Sequence, residues 1–181
     1  MSQSLVADIF NNVDKESIIE NIEQYNLDEK FGPSGVTPLI AAVRKNDLEL
    51  TQELLDEGAD CNLSDNHGNT PLIIACMFAN DVEIIKALLQ GNANPNIRNK
   101  RKLVALEAAV MSNDRINPVN KQLVTGREEA VKELLLYNAK ISFVNDFKMI
   151  ERIANIARTA GIGIGNKTTE ILSSNGQLKY E

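Results

Sequence analysis

The sequence predicts an all-α solenoid, a stack of similar helical units, and two observations lead to this prediction. The first is a signature that occurs twice: Gly35–Val43 reads GVTPLIAAV and, 33 residues later, Gly68–Cys76 reads GNTPLIIAC. The second is that the chain after each signature repeats too, since GADCN at Gly58–Asn62 recurs as NANPN at Asn92–Asn96 and as NAKIS at Asn138–Ser142. Such a period is typical of stacked repeats, because one unit alone cannot bury its apolar face.

A third, degraded copy of the signature follows the two clear ones. Val104–Val110 keeps Leu106, Ala108 and Ala109 but lacks the Thr-Pro pair. Three copies in step predict three repeats. Two short motifs recur with them, the Asn-Asp pairs at 46–47, 80–81 and 113–114 and the Leu-Leu pairs at 54–55, 88–89 and 134–135.

Each clear signature contains the start of a helix. Thr37 and Thr70 stand where an N-cap is needed, because a hydroxyl oxygen can accept a hydrogen bond from a free N–H of the first turn. Pro38 and Pro71 follow at the first helical position, where a missing N–H costs nothing. The small residues that come next, such as Ala41-Ala42, allow a neighbouring helix to approach closely.

A second helix is predicted after each first one. Asn46-Asp47 interrupts the first helix and starts the next, and Gly58 supplies the left-handed backbone that ends it. The sequence DNHG at Asp65–Gly68 is a turn signal that leads back to the next signature. Helical spacing predicts a buried face, made of Leu48, Leu50, Leu54 and Leu55 in one unit and of Val82, Ile84, Ile85, Leu88 and Leu89 in the next.

This unit, with Thr-Pro-Leu, two helices and a Gly- and Asp-rich turn, closely resembles the ankyrin repeat. The resemblance covers roughly residues 32–145 and implies a stack of helix-turn-helix-hairpin units with a helical cap at each end. The boundaries that follow are an N-terminal cap at 1–31, repeats at 32–64, 65–98 and 99–144, an insertion at about 115–127 inside the third repeat, and a C-terminal cap at 145–181.

Both caps are predicted to be helical. Residues 4–11 and 14–25 carry apolar side chains at i,i+4 spacing. At the other end Asp146 can cap a helix that runs to about Ala160, and a shorter helix is predicted around 168–173.

Composition limits the class of protein. The net charge of −6, with 43% hydrophobic and 24% charged residues, favours a globular protein over one that coats nucleic acid. No apolar run approaches the roughly 20 residues of a membrane helix, and the N-terminus lacks the pattern of a secretory signal. Cys61 and Cys76 form neither a metal-ligand spacing nor a disulfide framework. We therefore expect a cytoplasmic monomer without metal or cofactor, whose partner is a protein rather than nucleic acid or membrane.

One segment imitates an enzyme motif. Gly161–Thr168, GIGIGNKT, looks like a phosphate-binding loop, but Asn166 interrupts the Gly-Lys-Thr order and the residues before it have helical rather than strand periodicity. His67, the single histidine, has no suitable partners for a triad or a metal site at a hairpin tip. We predict no catalytic residue, with a nucleotide-binding enzyme kept as an alternative.

Two features distinguish the third repeat. Arg98–Lys102 places four positive charges on its hairpin, as either a solvated loop or a docking site for an acidic protein surface. The thirteen inserted residues at 115–127 are either a neutral insertion or a recognition loop. They carry the apolar residues Ile116, Val119 and Leu123.

The ankyrin resemblance implies a non-catalytic protein-binding scaffold, whose partners contact the hairpin tips and the exposed face of the first helices. Met77 and Phe78 are the most informative of the positions carried over, because two large apolar residues at exposed sites indicate a contact patch. The positions are Pro33, Ser34, Val36, Arg44 and Lys45 in the first repeat, Asn66, His67, Asn69, Met77 and Phe78 in the second, and Lys100, Arg101, Leu103, Met111 and Ser112 in the third. Lys102 of the basic run and Ile116, Val119 and Leu123 of the insertion complete the predicted contact residues.

Two narrower roles stay open beside a general scaffold. The content of Asn, Lys and Ile has a bacterial character, which would suit an inhibitor or immunity protein that neutralises a toxin, or an effector delivered to the cytosol of a host. Copurification of a tight one-to-one partner would favour the inhibitor. A translocation signal near the C-terminus would favour the effector.

Overall fold

The computed structural model describes residues 4–78, 81–111, 126–141 and 147–163. Within these ranges the predicted all-α class is confirmed, since they contain no strand and only one isolated β-bridge, between Phe31 and Val36. A short 3₁₀ helix covers Ile22–Gln24. The α-helices of the described residues are α1 (Leu5–Phe10), α2 (Lys15–Glu20), α3 (Pro38–Lys45), α4 (Leu48–Asp56), α5 (Pro71–Phe78), α6 (Val82–Gln90), α7 (Ala105–Met111), α8 (Gly126–Leu136) and α9 (Phe147–Thr159).

The helices form two layers. The first helices of successive units, α1, α3, α5 and α7, pack side by side in that order, and the second helices α2, α4, α6 and α8 do the same. Within each unit the first helix also packs on the second. Helix α9 contacts both α7 and α8, so it covers the last unit of the stack.

The predicted helix starts at Thr37 and Thr70 are confirmed. Their hydroxyl oxygens accept hydrogen bonds from the backbone N–H groups of Ile40 and Ile73, at 3.2 and 3.3 Å. The third unit, which lacks the Thr-Pro pair, starts its helix differently. Glu107 reaches back from the first turn of α7, and its carboxylate accepts a hydrogen bond from the N–H of Val104 at 3.3 Å.

The breaks between helices also follow the sequence. Asn46 has left-handed backbone (φ 57°), and the Asp47 carboxylate accepts a hydrogen bond from the N–H of Leu50 at 3.1 Å. Gly58 has φ 89°, as predicted for the end of a second helix. Asn92 and Asn138 take the equivalent positions in later units with φ 68° and 63°, which Asn tolerates better than most residues.

The predicted core is confirmed at its repeat positions. Leu54, Leu88 and Leu134, one from each second helix, are fully buried. The small residues of the first helices, Ala41-Ala42 and Ala108-Ala109 among them, are buried as well. Their size allows α3, α5 and α7 to pack closely, and the result is one continuous core through all units.

A ladder of side-chain hydrogen bonds joins consecutive units on the loops that follow the second helices. Asp28 accepts from the N–H of Asp60 at 2.9 Å, and Asn62 accepts from the N–H of Asn94 at 2.7 Å. Asn96 makes the next step, because its side-chain oxygen accepts from the N–H of Lys140 in the third repeat at 2.8 Å. The acceptors are 34 residues apart, so the N-terminal segment already obeys the repeat register.

Candidate protein-binding surface

The hairpin tips of the second and third repeats share one backbone geometry. Asp65 caps the second tip, where its carboxylate accepts from the N–H groups of His67 and Asn69, both at 2.9 Å. Asn99 caps the third tip in the same way, with its side-chain oxygen accepting from the N–H groups of Arg101 and Leu103 at 2.9 Å. The two tips are therefore equivalent at an interval of 34 residues.

Neighbouring tips are also bonded to one another. The N–H of Asn66 donates to the carbonyl of Ser34 at 2.9 Å, and its side-chain amide donates to the carbonyl of Pro33 at 2.9 Å. The N–H of Lys100 donates to the carbonyl of His67 at 3.0 Å. Consecutive tips consequently lie in one row along the stack.

The electrostatic environment differs between the two tips. The Asp65 side chain is fully buried and forms an ion pair with the partly exposed Arg44 at 3.5 Å. One unit later, Met77 replaces the arginine and Asn99 replaces the aspartate. Asn99 donates from its amide to the side-chain oxygen of Asn69 at 2.8 Å. A charged contact between the first two units thus becomes a neutral one between the next two.

The third tip presents the basic run of the sequence to solvent. Lys100, Arg101 and Lys102, together called the basic tip below, are all exposed. None of the ion pairs between described residues includes them. Lys102 has φ 62°, at the place where the second tip has Gly68 with φ 77°. A lysine there accepts backbone strain that glycine avoids.

An apolar surface lies at the other end of the first helices. Phe78, the last residue of α5, is 54% exposed, and Met111, the last residue of α7, is 53% exposed. Met77 is half-buried against the core and occupies the same repeat position as Met111. Because α5 and α7 pack side by side, these three residues form a patch on adjacent helices, called the apolar patch below.

Phe10 belongs to the same row, although the sequence motifs did not single it out. Phe10 ends α1 and is 40% exposed. The left-handed residues Asn12 and Asn46 follow α1 and α3 at an interval of 34, so Phe10 is equivalent to Arg44 and then to Met77. The same alignment by Asn, extended backwards from the first signature, would have found it in the sequence.

The other predicted contact positions differ in their exposure to solvent. Arg44, Lys45, Asn66 and His67 are exposed. Asn69 is half-buried, donates to Asp65 of its own tip and accepts from Asn99 of the next tip.

Some of the contact positions carried over lie elsewhere than expected. The prediction that Val36 is a surface contact is wrong, because Val36 pairs with Phe31 in a β-bridge and is only 6% exposed. Leu103 is half-buried against the core. Ser112, Ile116, Val119 and Leu123 lie outside the described residues, and so does the shorter helix predicted around 168–173. Helix α8 begins at Gly126, so the last two residues of the predicted insertion are helical.

The residues considered for chemistry lie apart from this surface. The glycine-rich segment follows helix α9 rather than a strand, and it lies outside the described residues from position 164 onwards. Cys61 and Cys76 are buried. Burial, together with the charge of Asp60, raises the pKa of the Cys61 thiol, which donates to the carbonyl of Gly91 at 3.0 Å. A protonated, buried thiol is a poor nucleophile.

Two further kinds of feature are absent from the described ranges. They contain no group of three or more His, Cys, Asp or Glu side chains that could hold a metal ion. No helix in the same ranges combines the length and the apolar character that crossing a membrane requires.

Known proteins have sequences similar to that of this chain. The family model for ankyrin repeats in three copies matches residues 6–99, just over half of the chain, and the match includes α1 and α2. The fowlpox virus ankyrin repeat protein FPV024 is 29% identical over 109 residues, which are 60% of this chain and 16% of that protein. The rat ankyrin repeat and SAM domain-containing protein 6 is 37% identical over 101 residues, 55% of this chain and 11% of that protein.

A third relative is the mouse SH3 and multiple ankyrin repeat domains protein 1, which is 28% identical over 142 residues, 64% of this chain and 7% of that protein. The chain therefore spans about a sixth or less of the length of these relatives. Its repeated signatures, its two helical layers and the family match agree with one another, and the chain belongs to the ankyrin repeat family.

Proposed function

We propose that the chain is a non-catalytic scaffold that binds a partner protein through its hairpin tips, the exposed face of its first helices and the insertion in its third repeat. The observation that carries this proposal is the apolar patch. Phe78 and Met111 are each more than half exposed at the ends of two helices that pack side by side. Ankyrin repeats generally mediate contacts between proteins, which agrees with this function.

Single exposed apolar residues are common on protein surfaces, so a group of them is better evidence of a binding surface than the exposure of any one. Phe78 and Met111 come from different repeats, and Met77 adjoins them at the edge of the core. Burying a side chain of this size in an interface contributes about 1.5–3 kcal/mol, or at least tenfold in affinity. A group of such residues has the composition of an interface centre.

The insertion enters the proposal through its covalent position. It begins four positions after Met111, so chain connectivity keeps its first residue within about 14 Å of the end of α7. Insertions in repeat proteins are extruded as loops and often contribute to binding. The apolar residues Ile116, Val119 and Leu123 would extend the contact that Met111 begins.

The experiment compares two variants in a capture assay. The unmodified chain is immobilised on a resin and incubated with a native cell extract, and the retained proteins are identified by mass spectrometry. The leading candidate is then purified for affinity measurements. The double variant Phe78→Ala with Met111→Ala should bind that partner at least tenfold more weakly, mainly because the complex dissociates faster.

The matched control is Leu136→Ala. Leu136 is 60% exposed at the end of α8 in the second layer, so it is apolar and exposed but lies outside the proposed surface. Its variant should bind as the parent does, and thermal melting should show that both variants are folded. Equal affinity of the double variant and the parent would place the binding surface elsewhere.

A further inference from the structure

The third hairpin lacks a carboxylate that the second hairpin contains. Asp65 and Asn99 make the same pair of hydrogen bonds to their tips, so the turn is built equally well by either residue. Only Asp65 brings a negative charge, and Arg44 compensates it at 3.5 Å. Replacing Asp by Asn therefore changes the charge of the tip without changing its backbone geometry.

The loss of this charge coincides with a gain of opposite charge. The third tip carries Lys100, Arg101 and Lys102 at the places where the second has Asn66, His67 and Gly68. All three cations are exposed, and no carboxylate of the described residues pairs with them. Positive charge is thus concentrated on one tip of a chain whose net charge is −6.

We propose that the partner bound by this surface offers an acidic segment with an apolar anchor, whose carboxylates lie on the basic tip while the anchor packs on the apolar patch. The proposal rests on the proposed function and names the chemistry of its partner. Opposite charges at the rim steer association, whereas the apolar centre holds the complex together.

The geometry of α7 sets the spacing of this segment. The helix has seven residues from the hairpin side to Met111, which gives about 10 Å of rise. The two residues between the basic tip and α7 add at most about 7 Å, so the charge and the patch lie within about 17 Å of each other. An extended peptide covers this distance in about four to six residues. The partner segment should therefore place Asp or Glu about four to six residues from a large apolar side chain.

Charge also favours a protein over a nucleic acid. Residues 1–64 carry thirteen Asp and Glu against four Lys and Arg, so a polyphosphate backbone would be repelled by much of the molecule. The patch contains two methionines and one aromatic ring, whereas single-stranded nucleic acids stack on rows of aromatic residues. An acidic protein segment satisfies both the tip and the patch.

The first test selects peptides from a phage-displayed library of random dodecapeptides against the full chain at low salt. The expected result is enrichment of sequences with Asp or Glu four to six residues from Phe, Leu, Met or Trp. Enrichment without acidic residues, or no enrichment at all, would overturn the proposal. A fluorescent single-stranded RNA 20-mer is titrated in parallel, and binding as tight as that of the best peptide would overturn it too.

The second test measures how much each part of the surface contributes to the affinity for the selected peptide. Replacing Lys100, Arg101 and Lys102 by Ala should weaken binding about tenfold at low salt and little at 0.5 M salt, because rim charges are screened. Ala at Lys86, Lys132 and Lys148 removes the same charge from the second layer and the cap, and it should leave the affinity within about twofold because these sites lie away from the tip.

A subtler variant, Asn99→Asp, returns the missing carboxylate. Asp65 shows that this turn accepts aspartate, but Asp65 is paired with Arg44, whereas Met77 stands at the equivalent place in the next unit. Asn99 also donates to Asn69, so the variant should be less stable than the parent, and thermal melting checks that it is folded at the assay temperature. The variant should bind the peptide severalfold more weakly at low salt, since the new carboxylate competes with those of the peptide for the basic tip. Unchanged affinity in both Asn99→Asp and the triple alanine variant would overturn the proposal.

The two proposals fail differently. If the selected peptides need Phe78 for binding but show no acidic preference and no salt dependence, the proposed scaffold function stands and the proposed acidic partner is wrong. Peptides that bind independently of Phe78, Met111 and the basic tip would reject both.

Discussion

At the scale of single residues, helix caps and buried leucines contribute different amounts to the free energy of unfolding. Thr70 accepts one hydrogen bond at the start of α5, so Thr70→Ala should lower the free energy of unfolding by about 1 kcal/mol. Leu88 is fully buried between units, so Leu88→Ala should lower it by about 2–5 kcal/mol. Urea denaturation at equilibrium measures both. Equally small losses would contradict the repeat register.

The ion pair between the first two repeats gives a second prediction at this scale. Arg44→Met would leave the buried Asp65 carboxylate without its cation and should cost about 1–3 kcal/mol of folding free energy. Adding Asp65→Asn copies the Met77 and Asn99 pair of the next interface, and the double variant should recover most of that loss. A double-mutant cycle in urea measures the coupling, and additive losses would speak against the pair.

At the scale of elements, the hydrogen-bond ladder is what joins the loops of adjacent units. Asn96 accepts from the N–H of Lys140 at 2.8 Å and donates to the carbonyl of Asn138 at 3.1 Å. Asn96→Ala removes both bonds, so the amide of Lys140 should exchange its hydrogen faster, and the unfolding free energy should fall by about 1–2 kcal/mol. Asn155→Ala, at an exposed site on α9, is the control. Unchanged exchange at Lys140 would mean that packing alone docks the third repeat on the second.

At the scale of the whole molecule, the stack is expected to hold itself together without ligands. The core runs through every described unit and α9 covers the last one, so we expect folding not to depend on a bound group. The melting temperature should therefore be the same with chelator and with millimolar ATP and magnesium, as a scanning fluorimetry series can measure. A ligand that binds only the folded chain would raise it, and an ATP-dependent rise would return attention to Gly161–Thr168.

The repeat register, the helix starts and the buried leucines could be predicted from the sequence. They depend on spacing along the chain and on local preferences, such as a hydroxyl before the first turn or an Asn where the backbone is left-handed. Phe10 was within reach of the same reasoning, once the units are aligned by the Asn that ends each first helix. The exposure of Phe78 and Met111 also follows from their position at the end of a helix whose other face packs.

The sequence by itself therefore determined the fold and the row of equivalent positions that we propose for partner contact, because both repeat with a fixed period. Only the tertiary structure decided how charge is compensated along that row. Arg44 and Asp65 belong to different repeats, and their pairing depends on how two units stack. The same stacking leaves the basic tip exposed, without an ion pair to any described carboxylate. Burial and ion pairing are properties of contacts between units, and a period along the chain does not encode them.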